Sequence, residues 1–126
     1  SRLFHADYLS IKDQLNNKII VSIEGNDVAT NVKWIMQSNS LLMMPKPTKE
    51  TWLCEGLLEP GRHYIPINND YTNLEEQFEY YISRPKLADE MLTEAKRYIG
   101  RFFPLDRQFA IAREVVSKYK ELTNPV

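Results

Sequence analysis

Apolar residues recur along the chain with two periods, and the switches between them mark the elements. Lys18-Ile19-Ile20-Val21-Ser22-Ile23 is a β-branched run of strand length with little strict alternation, the pattern of a strand covered on both faces. Ahead of it, Ser10 to Leu15 reads as a short helix with Ser10 as N-cap and Asp13 three positions on. Glu24-Gly25-Asn26-Asp27 then brings turn chemistry. Past that turn the period lengthens: Val28, Val32, Ile35 and Met36 share one face of a helix that Asn26 or Asp27 would cap. Ser40-Leu41-Leu42-Met43-Met44 reads as a second strand ending at Pro45 and Pro47. Thr48 would cap a further helix reaching about Leu58, stopped by Pro60-Gly61. His63-Tyr64-Ile65-Pro66-Ile67 is a third strand, with Pro66 at its end or on a sheet edge.

The rest of the chain reads helical. Thr72 and Glu75 form a T-x-x-E capping box, and Leu74, Phe78, Tyr81 and Ile82 make the buried stripe behind it. Leu87, Met91, Ala95, Tyr98 and Ile99 repeat that spacing in a helix closed by Gly100. Asp106 would cap a last helix with Phe109, Ala112, Val115, Val116 and Tyr119 facing inward. Strands alternating with helices predict an α/β fold with a short parallel sheet and right-handed crossovers. Three strands are few for such a sheet.

Composition narrows the classes. A chain of 126 residues, 43% hydrophobic and 26% charged, is one soluble domain, with residues 1–17 as a lead-in segment and 104–126 as a C-terminal helix and tail. Sixteen Lys and Arg against seventeen Asp and Glu leave a net charge of −1, so no electrostatic field points to nucleic acid. The single cysteine, Cys54, excludes an internal disulfide framework and a multi-cysteine zinc site. With only His5 and His63, no histidine-rich metal cluster is expected, and no cofactor. No run approaches the ~20 apolar residues of a membrane span, and no signal-peptide core opens the chain. A cytoplasmic setting is expected. The first residue is Ser1 and not Met, which suggests an excised or processed chain.

Two stretches could carry chemistry. In EGNDVATNVKW a glycine turn after a strand lets backbone approach a ligand, the helix start behind it offers free N–H groups to a phosphate, and Lys33 could add charge. It matches neither G-x-G-x-x-G nor a P-loop, so an ordinary βα turn with an Asx cap is the competing reading. In MPKPTKETWLCEGLLEPGRHYIPI the prolines hold a loop where Lys46, Glu50 and Trp52 can sit over one sheet edge. A carboxylate there could bond sugar or ribose hydroxyls and Trp52 could stack on a ring; alternatively Trp52 is core and Glu50 complements a helix dipole. Cys54 reads as a small buried hydrophobe, and His63 as a hydrogen-bonded structural histidine. Arg97, Arg101, Arg107 and Arg113 read as surface residues. No residue set suggests a catalytic triad or a metal-binding helix.

The run KIIVSIEGNDVATNVKWIMQSNSLLMMPKPTKETWLCEGLLEPGRHYIPI, followed by an acidic D-x-x-N-L-E-E helix, resembles family 90 of the glycosyltransferases. That family includes bacterial lipopolysaccharide-modifying enzymes, fungal capsule-associated proteins and animal protein O-glucosyltransferases. The likeness covers about residues 18–101 and is nearest to the bacterial branch. It rests on the EGN turn, the SNS segment before the second strand and the L-x-P-x-x-HYIPI segment. The resemblance implies a Rossmann-like three-layer fold like the C-terminal half of a GT-B glycosyltransferase, whose C-terminal domain holds a nucleotide-sugar donor, usually a UDP-sugar. It implies that Gly25, Asn26 and Asp27 line the diphosphate turn, with Thr30, Asn31 and Lys33 facing it. Glu50 and Trp52 would fall near the donor's sugar or ribose. His63 and Tyr64 match a family segment, with packing of that strand as the alternative role.

Two departures stand out. Eukaryotic members carry an arginine where this chain has Asn31, so Lys33 would have to substitute as a point charge. The acceptor domain, which holds the catalytic base in the animal enzymes, has no counterpart here, so no catalytic residue is assigned. The resemblance thus implies the C-terminal portion of a longer enzyme. Its reaction would be hexose transfer from a UDP-sugar to a saccharide or lipopolysaccharide acceptor held by the absent N-terminal domain. The rival expectation is a non-catalytic α/β binding or assembly module that has lost turnover.

Overall fold

The computed structural model describes residues 8–124; His5 and the beginning of the lead-in segment lie outside them. Strand β1 (Ile19–Val21), β2 (Leu41–Met44) and β3 (Ile65–Pro66) form a three-stranded sheet in the order β1-β2-β3, parallel throughout. The register pairs Ile20 with Leu42, and Met43 with both Val21 and Ile65. Every residue of β2 is buried, as a central parallel strand requires. Only Ile20 of β1 is buried, and among the described residues no strand pairs with the outer edge of β1. Pro66 is both the last residue of β3 and on an edge, where its missing N–H costs no ladder bond.

Alternate β2 side chains point to opposite faces and seed two cores. Leu42 and Met44 join Ile20, Val32, Ile35, Met36, Leu53, Tyr64, Ala95, Tyr98 and Ile99 on one face. Leu41 and Met43 join Ile65, Ile67, Tyr81 and Met91 on the other. Helix α2 (Val32–Gln37) packs on α4 (Pro85–Gly100), whose C-terminal half covers the first face. The N-terminal half of α4, with α3 (Leu74–Ile82), covers the second. The α/β class and the short parallel sheet therefore agree with the sequence reading.

Several local expectations fail, each for a visible reason. Helix α1 (Ile11–Gln14) does carry Ser10 as its cap, with the Asp13 N–H donating to Ser10 Oγ at 3.2 Å. Neither Asn26 nor Asp27 caps α2, however: the Asp27 carboxylate accepts from the adjacent Val28 N–H at 2.7 Å, and the helix starts only at Val32 behind Asn31. The helix expected from Thr48 to Leu58 is a loop with a single 3₁₀ turn at Glu55–Leu57. The Thr72–Glu75 box does not form, because Thr72 Oγ1 donates to Asp70 at 2.8 Å and Asn73 takes the N-cap position. Of the α3 stripe only Tyr81 is buried.

The SNS segment explains itself as connection chemistry. Ser38 Oγ donates to the Ile35 carbonyl at 2.7 Å and accepts from the Ser40 N–H at 2.9 Å. Ser40 Oγ donates to the Asn17 carbonyl at 2.7 Å, joining the residue before β2 to the segment that leads into β1. The segment ends α2 and launches the central strand.

Helix α5 (Leu105–Thr123) departs most from expectation. Pro104, not Asp106, is its N-cap, and none of its residues is buried. Phe109, Val115, Val116 and Tyr119, expected to face inward, are all exposed. Its side chains therefore add little burial energy. Ending the chain at Pro104 should change the unfolding free energy of the remaining fold by no more than about 0.5 kcal/mol, the range of surface changes. Chemical denaturation of the two lengths checks it; a large loss would mean that α5 packs on the domain.

Candidate functional site

The carboxyl ends of the strands open onto a cavity of about 190 Å³. Ser22 and Glu24, just after β1, form one wall, and Val28, Ala29 and Val32 continue it toward α2. Met44 and the following residues through Lys49 form a second wall, with Glu55 beneath. Asn69 and Tyr71, from the loop between β3 and α3, close the third side. Ligands of open α/β sheets collect at this end.

Glu24 joins the first two walls. Its carboxylate accepts from the Thr48 N–H at 3.1 Å, from Thr48 Oγ1 at 2.6 Å and from the Lys49 N–H at 3.2 Å. Lys49 Nζ returns the contact by donating to the Gly25 carbonyl at 3.1 Å. Burial pushes the Glu24 carboxyl up, but the Thr48 hydroxyl, the two amides and the Lys49 charge outweigh it and hold it below the usual carboxylate range. Thr48 is thus a ligand of a loop carboxylate and not a helix cap. Charge-assisted bonds of this kind are worth roughly twice neutral ones, so a backbone without regular structure is nonetheless fixed.

A second carboxylate does the same inside the loop. Glu55 is 3% exposed and accepts from the Thr51 N–H at 2.6 Å and from Thr51 Oγ1 at 2.7 Å. Lys33 Nζ stands 3.7 Å from Glu55 Oε1 and 5.6 Å from the centre of the Trp52 ring. Burial raises the Glu55 carboxyl, and the Thr51 bonds with the Lys33 charge bring it below its ordinary value. Between these groups the backbone turns sharply: Cys54 lies in the left-handed region at φ 56°. Glu50 accepts from the Gly56 N–H at 3.1 Å, and a Cβ on Gly56 would stand 2.0 Å from Glu50 Oε1. A side chain at position 56 would have to displace the Glu50 carboxylate.

Of the candidate ligand residues singled out in the sequence, only Lys46 lines the cavity. Gly25, Asn26 and Asp27 lie on the exposed turn after β1, and Thr30 is exposed too. Asn31 faces inward along the chain, its Oδ1 accepting from the buried Ser22 hydroxyl at 2.6 Å. Lys33 is drawn to Glu55, and Trp52, 55% exposed, meets Phe102 edge-on at 5.8 Å. Glu50 is occupied by Gly56. Lys46 does reach the cavity wall. Glu24, Lys49, Glu55, Asn69 and Tyr71 escaped the sequence reading. Glu24 was within reach, as the acid beside the strand-end glycine; Asn69 and Tyr71 carried no signal, because only the parallel register brings the end of β3 beside the end of β2.

His63 packs, as the structural reading expected. Its Nδ1 accepts from the Glu59 N–H at 2.9 Å, and its ring lies 5.1 Å from that of Tyr98. Burial lowers its pKa, only partly opposed by Glu59. Tyr98 donates its hydroxyl to the Leu53 and Cys54 carbonyls at 2.7 and 2.8 Å, and burial with the nearby Cys54 and Glu55 pushes its pKa up to about 12. Cys54 is partly exposed, on the left-handed turn and not in a helix. Among the described residues no group of three or more His, Cys, Asp or Glu side chains is placed to hold a metal ion.

The family model described as glycosyl transferase family 90 matches residues 5–125. The O-glucosyltransferase LpsA of Dichelobacter nodosus is 41% identical over 122 residues, which are 97% of this chain and 38% of that protein. The chain therefore spans well under half the length of this relative.

Two substitutions test the internal contacts. Lys33→Ala leaves the Glu55 carboxylate without its cation and should cost about 1–3 kcal/mol at neutral pH. Because the folded pKa of Glu55 is depressed, its stabilising contribution is present above the ordinary carboxylate range and is lost as pH falls through the folded value. Without Lys33 that loss should begin at higher pH in acid-denaturation curves; identical curves would show that the two charges do not interact.

Asn31→Arg removes the acceptor of the buried Ser22 hydroxyl. It should lower stability by about 1–3 kcal/mol. An unchanged melting temperature would show that Ser22 finds another partner.

Proposed function

The chain belongs to glycosyl transferase family 90, and from that premise we propose that its cavity is the donor side of a sugar-transfer site for a nucleoside-diphosphate hexose, a UDP-sugar. The observation that carries this reading is the position of the cavity. It opens at the carboxyl ends of parallel strands, with the Glu24–Thr48 bond holding its mouth and Lys46 and Lys49 on one wall. The relative's name points to glucose as the hexose and to lipopolysaccharide as the acceptor; a cytoplasmic reaction is part of the same proposal. Among the described residues no helix is long and apolar enough to cross a membrane.

In the proposed reaction the bond between the anomeric carbon and the diphosphate oxygen breaks, and a bond to an acceptor hydroxyl oxygen forms. The electron pair leaves with the diphosphate, whose growing charge needs positive groups already in place. Lys46 enters no ion pair among the described residues, so its ammonium is free to meet that charge. Lys49 stands beside it, tethered to the Gly25 carbonyl. Gly25, Asn26, Asp27 and Thr30 belong to the same mouth in this proposal, while Asn31, Lys33, Glu50 and Trp52 support its walls. The proton of the acceptor hydroxyl goes to a base outside this chain, in the polypeptide that a relative of LpsA's length would add as an acceptor domain.

Titrating UDP and uridine into the 126-residue chain, while following backbone amide signals, tests the reading. UDP should shift the signals of Gly25, Lys46 and Lys49, and Lys46→Ala should weaken UDP about fivefold while leaving uridine unchanged, as expected for a solvent-screened charged contact. No transfer is expected from the chain alone. Sugar transfer by the purified chain would place the base within it, and absence of any UDP-induced shift would remove the donor assignment.

A further inference from the structure

We propose that Tyr71 is the ring on which the donor's nucleobase stacks, an inference that rests on the donor reading of the cavity. Tyr71 lines the cavity from the loop after β3 and is 40% exposed. Among the described residues no other aromatic side chain lines it. Trp52, the aromatic residue that the sequence put forward for stacking, turns instead to Phe102 and Lys33.

The backbone at Tyr71 makes the side chain's presence informative. Its φ is 62°, in the left-handed region that glycine occupies freely and that a residue with a Cβ adopts at a cost. The surrounding turn leaves it no alternative. The Tyr71 N–H donates to the Asn68 carbonyl at 3.0 Å, and the Leu74 N–H donates to the Tyr71 carbonyl at 3.1 Å. The Asn68 N–H donates to Asn73 Oδ1 at 2.7 Å, Asn68 Nδ2 donates to Thr72 Oγ1 at 3.1 Å, and Thr72 is tied to Asp70. A tyrosine is thus held where glycine would fit better. Packing does not explain it, since the ring belongs to neither core. Nor does polarity, since its hydroxyl makes no hydrogen bond among the described residues. Backbone strain of this kind, held by its surroundings at the mouth of a cavity, marks a side chain placed for what it meets.

The loop that carries Tyr71 follows β3 and the Gly25 turn follows β1, on the other side of β2. Neighbouring strands lie about 4.8 Å apart, so the ends of β1 and β3 are separated by about 10 Å, a span that a nucleoside diphosphate can bridge. With the phosphates by Lys46 and Lys49, the base reaches toward Tyr71. A flat heterocycle on a phenol ring needs no hydrogen bond from the hydroxyl.

The test compares the full chain with Tyr71→Phe, Tyr71→Ala and Tyr71→Gly, titrated with uridine, UDP and inorganic pyrophosphate and melted without ligand. Tyr71→Ala and Tyr71→Gly should each weaken uridine and UDP about tenfold and leave pyrophosphate unchanged, while Tyr71→Phe keeps all three within about twofold. Tyr71→Gly should at the same time raise the melting temperature, because it relieves the positive φ. A purely structural tyrosine would lose binding and stability together, for pyrophosphate as much as for uridine, and that result overturns the inference. Equal uridine affinity in the wild type and Tyr71→Gly overturns the stacking and leaves the donor reading intact. Binding of neither uridine nor UDP by the wild type removes the donor reading and the stacking with it.

Discussion

Everything in this fold hangs on β2. It is bonded on both edges and covered on both faces, and each of its four residues is at most 4% exposed. Burying a leucine or methionine side chain is worth about 1.5–3 kcal/mol, so these positions outweigh any single loop contact. Parallel pairing on both sides then brings three strand ends out at the same end of the sheet. The loops that leave β1, β2 and β3 have no regular structure to hold them apart, yet they must share that space. The cavity is the gap left where they meet.

What holds the loops is carboxylate chemistry. Glu24 gathers the hydroxyl and amides of residues 48 and 49, and Glu55 gathers those of Thr51. A side chain that accepts a backbone N–H offers that N–H an alternative to a helical carbonyl. Once Glu55 has captured the Thr51 amide and Cys54 has turned left-handed, a helix from Thr48 cannot propagate. The same competition delays α2: the turn keeps Asp27 bonded to its own neighbour, and Asn31 is committed to Ser22. In both places charge-assisted or buried local bonds override a spacing that favours helix.

That competition explains what could be read in advance. Strands were legible because Ile19–Val21, Leu41–Met44 and Ile65–Pro66 carry their own apolar runs. Helix α4 was legible because Met91, Ala95, Tyr98 and Ile99 fall on one face and all are buried. The 48–58 loop was not, because the acceptor that unwinds it is a side chain four residues away whose direction no periodicity reports. Helix α5 shows the opposite limit. Its pattern predicts a helix and the helix forms, but an amphipathic stripe states only that a face is apolar and not that this chain covers it. The site divides in the same manner: Gly25 and its neighbours mark the correct end of the sheet, while Asn69 and Tyr71 depend on a register between strands far apart in sequence.

The candidate ligand groups separate by whether the chain already satisfies them. Asn31, Lys33 and Glu50 have the residue types suited to a diphosphate sugar, and each is committed to an internal partner, namely Ser22, Glu55 and Gly56. Breaking such a partnership to bind a ligand would offset much of the new contact, since the group left behind is buried or already bonded. Lys46 and Tyr71 line the cavity, and among the described residues neither has an ion pair or a side-chain hydrogen bond. A ligand meeting them displaces only water. The sequence points to groups by their chemistry, whereas the fold decides which of those groups remain unspent. In this domain the carboxylates shape the mouth, and the lysine and the tyrosine are what it presents.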